Sequence, residues 1–279
     1  MLGRIAVHLD QDRGCKRRVR AAAQLAAEHD AELVGVHASF RRPPPYLYEG
    51  FFVTDDINQM LRRRQAEERT QSEALLREIA GETGVAAQWR TGDGRPEDIL
   101  CEHARYCDVL VMGQPDDSEP GPAQLPAQAA SVLLGAGRPV LMLPSVGEIG
   151  SIGRRVLFCW DERREAARAL ADAGPMLQEA SELFVLRVDP PAEPGDAARA
   201  RHADLLAYCA GRQYPIPQET TRDSAGVGIG NCILNTAADN ACDLIVMGAY
   251  GHSRLQQAVL GGTTRTMLES MTVPVLFSH

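Results

Sequence analysis

Cys107-Asp108-Val109-Leu110-Val111-Met112-Gly113 and Cys242-Asp243-Leu244-Ile245-Val246-Met247-Gly248 are two copies of one phrase, 135 residues apart. In each copy a Cys-Asp pair leads into an unbroken apolar run that ends on glycine. A run that is apolar at every position is a strand buried on both faces, as in a parallel sheet covered by helices. Recurrence at domain-sized spacing marks a duplicated unit. At the same offset Arg138-Pro139-Val140-Leu141 answers Val273-Pro274-Val275-Leu276. Further upstream, Arg4-Ile5-Ala6-Val7-His8-Leu9-Asp10 answers Arg155-Val156-Leu157-Phe158-Cys159-Trp160-Asp161 at an offset of 151. The first half therefore carries 16 more residues between these landmarks. The excess is assigned to residues 41–59, where Pro43-Pro44-Pro45, Tyr46 and Tyr48 interrupt any regular period.

Between the landmarks, strands and helices alternate. In the second half residues 156–160 read as a strand, and residues 163–178 as a helix with Ala167, Leu170, Ala171, Gly174 and Leu177 at helical spacing. Strands follow at 183–188, 219–222, 244–247 and 273–277, with helices at 197–209, 232–240 and 264–270 between them. The expected fold class is α/β: two tandem Rossmann-like domains, each an open five-stranded parallel sheet with helices on both faces. The domains are expected at residues 1–145 and 154–279, joined by a Gly- and Ser-containing linker at 144–153. The matching Pro-Val-Leu endings suggest that the last strands of the halves cover each other's edges, giving an intramolecular pseudo-dimer; a homodimer is a further possibility.

Composition removes several function classes. The chain has 279 residues and a formal net charge of −8, which on average repels nucleic acid and anionic lipid, so neither is an expected partner. No run of about 18 apolar residues is present to span a bilayer. The first residues lack the layout of a secretory signal, and seven cysteines without a CxxC pair fit free thiols in a reducing cytoplasm. Lys16 is the only lysine and no GxxxxGK[ST] occurs, which excludes a Walker-type phosphate loop. Gly226-Val227-Gly228-Ile229-Gly230 lacks the glycine spacing of a dinucleotide fingerprint. Arg17-Arg18 and Arg62-Arg63-Arg64 read as solvated helix faces.

The stretch from Gly248 to Thr264 carries the chemistry. It leaves the carboxyl end of a buried strand, where ligands of open α/β sheets bind. Gly248 and Gly251 permit close backbone approach. Gly261 and Gly262 precede Thr263 and Thr264 at a helix start, whose free N–H groups and hydroxyls make an anion seat. A glycine-rich connection with no ligand is the competing reading.

The spacing Gly-x2-Gly-x9-Gly at Gly248, Gly251 and Gly261 resembles the ATP-binding signature of the universal stress protein family. There Ser or Thr usually follows the last glycine; here Gly262 intervenes before Thr263. The resemblance implies ATP or another adenine nucleotide, with Mg²⁺ brought by the phosphates. By position it places Asp161 near the adenosine, Arg187 and Val188 beside the base, and Met247 and Gly248 against the ribose. Gly251, Gly261, Gly262 and Thr263 would hold phosphates, with Thr264 behind them and His252 within reach of a phosphate. The first half keeps Asp10 and Gly113, but Gln114-Pro115-Asp116-Asp117-Ser118-Glu119-Pro120 follows, with acids where phosphates would lie. Gly135-Ala136-Gly137 is read as the remnant of its cradle, and this site is expected not to bind triphosphate.

The expected role is stress or signalling output through an unidentified protein partner. No catalytic base or lysine is in view, so at most slow ATP hydrolysis or self-phosphorylation is expected. A scaffold or small-ligand carrier without nucleotide is the third reading.

Overall fold

A computed structural model describes residues 1–39, 55–115, 126–191, 195–249 and 261–279. Its contacts divide the chain into two compact units, Leu2–Arg138 and Pro139–His279, with Met1 grouped with the latter. The first unit runs β1 (Arg4–Leu9), α1 (Cys15–His29), β2 (Glu32–Ser39), α2 (Asp55–Thr83), β3 (Ala87–Asp93), α3 (Pro96–Ala104), β4 (Val109–Gly113) and α4 (Pro126–Gly135). Its strands lie in the order β3-β2-β1-β4, all parallel. The second unit runs β5 (Val140–Leu143), β6 (Arg155–Cys159), α5 (Arg164–Asp172), α6 (Gly174–Glu179), β7 (Glu182–Val188), α7 (Gly195–Gly211), β8 (Gln218–Arg222), α8 (Ile229–Asp239), β9 (Leu244–Gly248), α9 (Gly262–Ser270) and β10 (Val275–Ser278). Its order is β5-β10-β9-β6-β7-β8, parallel throughout except that β5 runs antiparallel to β10. This is the mixed α/β, Rossmann-like architecture read from the alternating pattern, with helices on both faces of the sheet.

Both Cys-Asp phrases have a physical reason. Asp108 Oδ2 accepts from the backbone N–H groups of Gly3 at 2.7 Å and Arg4 at 2.9 Å, pinning the start of β4 beside the start of β1. Asp243 does the same for β6, accepting from the N–H groups of Gly153 at 3.1 Å, Arg154 at 3.1 Å and Arg155 at 2.9 Å. The cysteines before them, Cys107 and Cys242, are buried, and burial pushes each thiol up to about 11, so both are packing residues rather than thiolates. The apolar runs that follow are fully buried in both β4 and β9 up to their final glycines.

The helix read over residues 163–178 is two helices. Ala173 ends α5, and α6 begins on Gly174-Pro175, whose proline supplies no N–H to continue the first ladder. The added length of the first half shows in α2, with 29 residues against 17 in α7; residues 41–54 of the expected insertion lie outside the described residues.

β5 pairs with β10 in the register Val140↔Phe277, Leu141↔Leu276 and Met142↔Val275. A fragment of residues 154–279 lacks β5 and bares the β10 edge. Such an edge recruits another strand. Size-exclusion chromatography is expected to show this fragment self-associating or aggregating. A well-behaved monomer of it would count against the pairing.

Candidate functional site

In the second unit the chain lays down β6, moves outward to β7 and β8, then returns across β6 to β9 on its other side. Connections therefore diverge from the carboxyl ends of β6 and β9, opening the crevice where doubly wound sheets bind ligands. Asp161 lies just past β6 and Gly248 is the last residue of β9, facing each other across this switch point. The first unit has the same switch between β1 and β4, with Asp10 and Gly113 in the corresponding places.

In the second unit the Asp161 carboxylate is exposed and accepts from the Arg163 N–H at 3.1 Å. Arg187 and Val188 end β7, next to β6. Met247 is buried in β9. A Cβ on Gly248 would stand 2.7 Å from the Glu165 carbonyl carbon and 2.8 Å from the Ala166 nitrogen, so only glycine lets the first turn of α5 lie on the strand end. Gly261 is the N-cap of α9 with ordinary extended dihedrals, and Gly262 is its first residue. A Cβ on either would meet no atom of the described residues within 4 Å. The first intrahelical bond runs from the Arg265 N–H to the Gly261 carbonyl at 2.9 Å, which leaves the N–H groups of Gly262, Thr263 and Thr264 for other acceptors. Thr263 is half-buried, while Thr264 is buried on the inner face with Met267 and Leu268. Gly251 and His252 lie outside the described residues. Among the described residues no cluster of three His, Cys, Asp or Glu side chains could hold a metal ion.

The corresponding place in the first unit is filled by the protein. Arg18, read from sequence as a solvated residue, is buried, with a side chain only 2% exposed. Its guanidinium donates to Asp10 at 2.6 Å, Asp12 at 2.7 Å and the His8 carbonyl at 2.8 Å. It lies over Gly113, whose Cβ would stand 2.4 Å from Arg18 Nη1. At the offset of 151 its counterpart is Ala169, also buried. Arg18 shares the inward register of Cys15, Val19 and Ala22, which was the available sequence signal. Gly135, read as a cradle remnant, is the last residue of α4; the counterpart of Gly261 at the offset of 135 is Pro126, at the helix start. Asp116, Asp117 and Glu119 lie outside the described residues.

Burial raises the Asp10 carboxyl, but Arg18 and His8 outweigh it and hold the group well below the carboxylate range. Asp12 goes up, driven by burial against the pull of Arg18. Burial lowers His8 from 6.5 to about 4, with Asp10 opposing. Between pH 6.5 and about 4 the unfolded chain takes up a proton on His8 that the folded chain does not, so stability falls with pH. At about 1.4 kcal/mol per unit the loss is about 3 kcal/mol. Below 3.8 Asp10 adds further loss, while Asp12, protonated earlier in the folded state, works in the opposite sense just above 3.8. His8→Asn, whose amide can still donate to Asp10, is expected to reduce the loss of stability between pH 6.5 and 4 in urea titrations read at Trp89, leaving the part that His37, also lowered by burial, contributes; an unchanged slope would refute the assignment.

A second charged cluster surrounds Arg187. Its Nη1 donates to Glu162 at 2.8 Å and its Nε lies 3.7 Å from Glu219. Arg201 on α7 contacts the same Glu162 oxygen at 3.0 Å, and His202 pairs with Glu219 at 2.5 Å. Glu162 holds a φ of 63°, a backbone that disfavours any residue carrying a Cβ and that glycine usually fills. Sequence reading did not find this cluster, because its members come from four separate segments and look like solvated charges.

The family model for the universal stress protein family matches residues 1–144 and 153–279. A curated universal stress protein of Synechocystis sp. is 48% identical over 44 residues, a match spanning 16% of this chain and 15% of that protein. Among solved structures, a universal stress protein from Archaeoglobus fulgidus superposes with a TM-score of 0.74 at 16% identity, covering 99% of this chain and 97% of that one. A functionally unknown protein from Pseudomonas aeruginosa superposes with a TM-score of 0.59 at 17% identity, covering 99% and 92%. At these identities the structural likeness speaks to the fold.

Proposed function

The chain belongs to the universal stress protein family, and on that premise we propose that its second half binds one adenine nucleotide, ATP in the first instance, while its first half binds none. The observation that carries this is the contrast at the two switch points. In the second half an exposed carboxylate, Asp161, shares the strand-end crevice with Gly248, and α9 starts on two glycines whose Cβ positions meet no atom of the described residues. In the first half the place over Gly113 is taken by Arg18, whose charge is already engaged by Asp10 and Asp12.

The donor set suits a nucleotide. N–H groups of Gly262, Thr263 and Thr264 would face phosphate oxygens, with the Thr263 hydroxyl beside them and the helix field adding about 0.3–1 kcal/mol per charge. Asp161 can accept from ribose hydroxyls, and the ends of β7, Arg187 and Val188, flank the base. Gly251 and His252 complete the loop in this reading. Mg²⁺, a hard ion that keeps several waters, would be held mainly by the phosphates. Binding needs no more than this cradle, whereas phosphoryl transfer needs a positioned nucleophile and charge clamps. The output is therefore an interaction with a protein partner in the cytoplasm, switched by occupancy, with the repeats at 1–145 and 154–279 dividing the roles. Mass spectrometry of small molecules released from the purified chain is expected to show an adenine nucleotide. Sustained ATP turnover above about 1 s⁻¹, the low end of ordinary enzymes, would contradict a binding role.

A further inference from the structure

α9 carries its charges against its own field. Arg265 stands in its first turn and Glu269 in its last, with no acid in the first turn and no base in the last. A lone helix prefers the reverse at both ends, and in an i,i+4 pair it prefers the glutamate first. α2, α3 and α7 do begin with acids: Asp55 and Asp56, Glu97 and Asp98, and Asp196. In α9 the arginine instead raises the positive potential at a helix start whose Gly262, Thr263 and Thr264 N–H groups are left to other acceptors. An anion seated there turns the unfavourable order into a favourable one. Gly261 and Gly262 bring it no side-chain donor, Thr263 brings a hydroxyl, and Arg265 has a guanidinium to offer. That guanidinium is held loosely. Its Nε donates to Glu269 at 2.7 Å, yet the arginine is 67% exposed and the glutamate 46%. Exposed pairs of this kind contribute little. Helical side chains lean over the turn N-terminal to their own Cα, which for Arg265 is the turn from Gly261 to Thr264. Exchanging Glu269 for a phosphate therefore needs a change of side-chain rotamer and no movement of the backbone.

We infer that Arg265 sets the preference of the second unit for the length of the phosphate chain: it leaves Glu269 and pairs with the terminal phosphates of ATP, a contact that AMP does not make. The inference rests on the nucleotide reading above and deepens it. The single phosphate of AMP is satisfied by the N–H groups of Gly262, Thr263 and Thr264, whereas the longer chain of ATP has oxygens left over. A guanidinium meets such oxygens with paired, charge-assisted hydrogen bonds. Glu269 competes for the same guanidinium and so restrains the preference.

The test titrates the full chain with ATP and with AMP, both with Mg²⁺ in excess. The Mg²⁺ complex of ATP and AMP carry similar net charge, so long-range attraction cancels in the ratio of their affinities. The wild-type chain is expected to bind ATP at least about tenfold more tightly than AMP. Arg265→Gln is expected to weaken ATP about tenfold or more and to hold AMP within about threefold. Glu269→Gln removes the competitor and should raise the preference for ATP by about twofold to threefold. Arg168→Gln, which breaks a pair of the same spacing on α5, should leave the ratio unchanged. A change in the helix field or in folding alone would weaken both ligands by the same factor. That result, a ratio unmoved by Arg265→Gln, or a preference that fails to rise in Glu269→Gln overturns the inference. A ratio moved as far by Arg168→Gln overturns it too, because the effect would then be one of charge without contact. Wild-type protein that binds ATP and AMP alike removes this inference and leaves the nucleotide reading standing; wild-type protein that binds neither overturns the nucleotide reading itself, and this inference with it.

Discussion

Arg18→Met is expected to destabilise the first unit by about 3–5 kcal/mol, the usual cost of removing one partner from a buried ion pair. The variant keeps the apolar stem and removes the guanidinium, so Asp10 and Asp12 lose their common partner and the His8 carbonyl loses a donor. Against a typical total stability of about 5–15 kcal/mol, such a loss brings the unit close to unfolding. The chain's two tryptophans fall one in each unit, Trp89 in the first and Trp160 in the second, so fluorescence separates them. Urea unfolding read at Trp89 in a Trp160→Phe background should shift strongly, while unfolding read at Trp160 in a Trp89→Phe background should barely move. Replacing all three charges together, with Asp10→Asn and Asp12→Asn added, should recover part of the loss, because no buried charge is then left unpaired. A loss below about 1 kcal/mol, the size of an exposed pair, would show that the cluster is solvated after all.

The sequence made the strands legible because β4 and β9 are apolar at every position up to their final glycines, and a duplicated phrase with the same pattern leaves little room for another fold. The Cys-Asp pairs were visible as a repeat, but their role in pinning the first strand of each half required the hydrogen bonds of Asp108 and Asp243. Reading failed where a short-range signal was outweighed. The apolar spacing through Leu170, Ala171 and Leu177 suggested one continuous helix, whereas Pro175 ends the ladder. Arg17 and Arg18 look alike in a chain rich in arginine, and only the inward register of Arg18 with Cys15 and Val19 separates them. The glycines near 135 resembled a cradle by composition, yet Gly135 sits at the wrong end of α4. The Glu162 cluster had no local signal, since its residues meet only after β6, β7, β8 and α7 are assembled.

Gly261→Glu is expected to weaken ATP binding at least about a thousandfold. Two like charges about 4 Å apart repel by about 4 kcal/mol at an effective dielectric near 20, and each 1.4 kcal/mol is about tenfold in affinity. The carboxylate would also fill the seat and accept from the N–H groups meant for phosphate. The fold should tolerate it: Gly261 has ordinary dihedrals, a Cβ there meets no atom of the described residues within 4 Å, and an acid at a helix start is favourable. An unchanged unfolding curve would therefore separate loss of the site from loss of structure. Isothermal titration of the wild-type chain with ATP and Mg²⁺, repeated on Gly261→Glu, measures the central claim directly. One site per wild-type chain and no detectable site in the folded variant is the predicted result; two sites per chain, no site in the wild type, or binding that survives Gly261→Glu would contradict it.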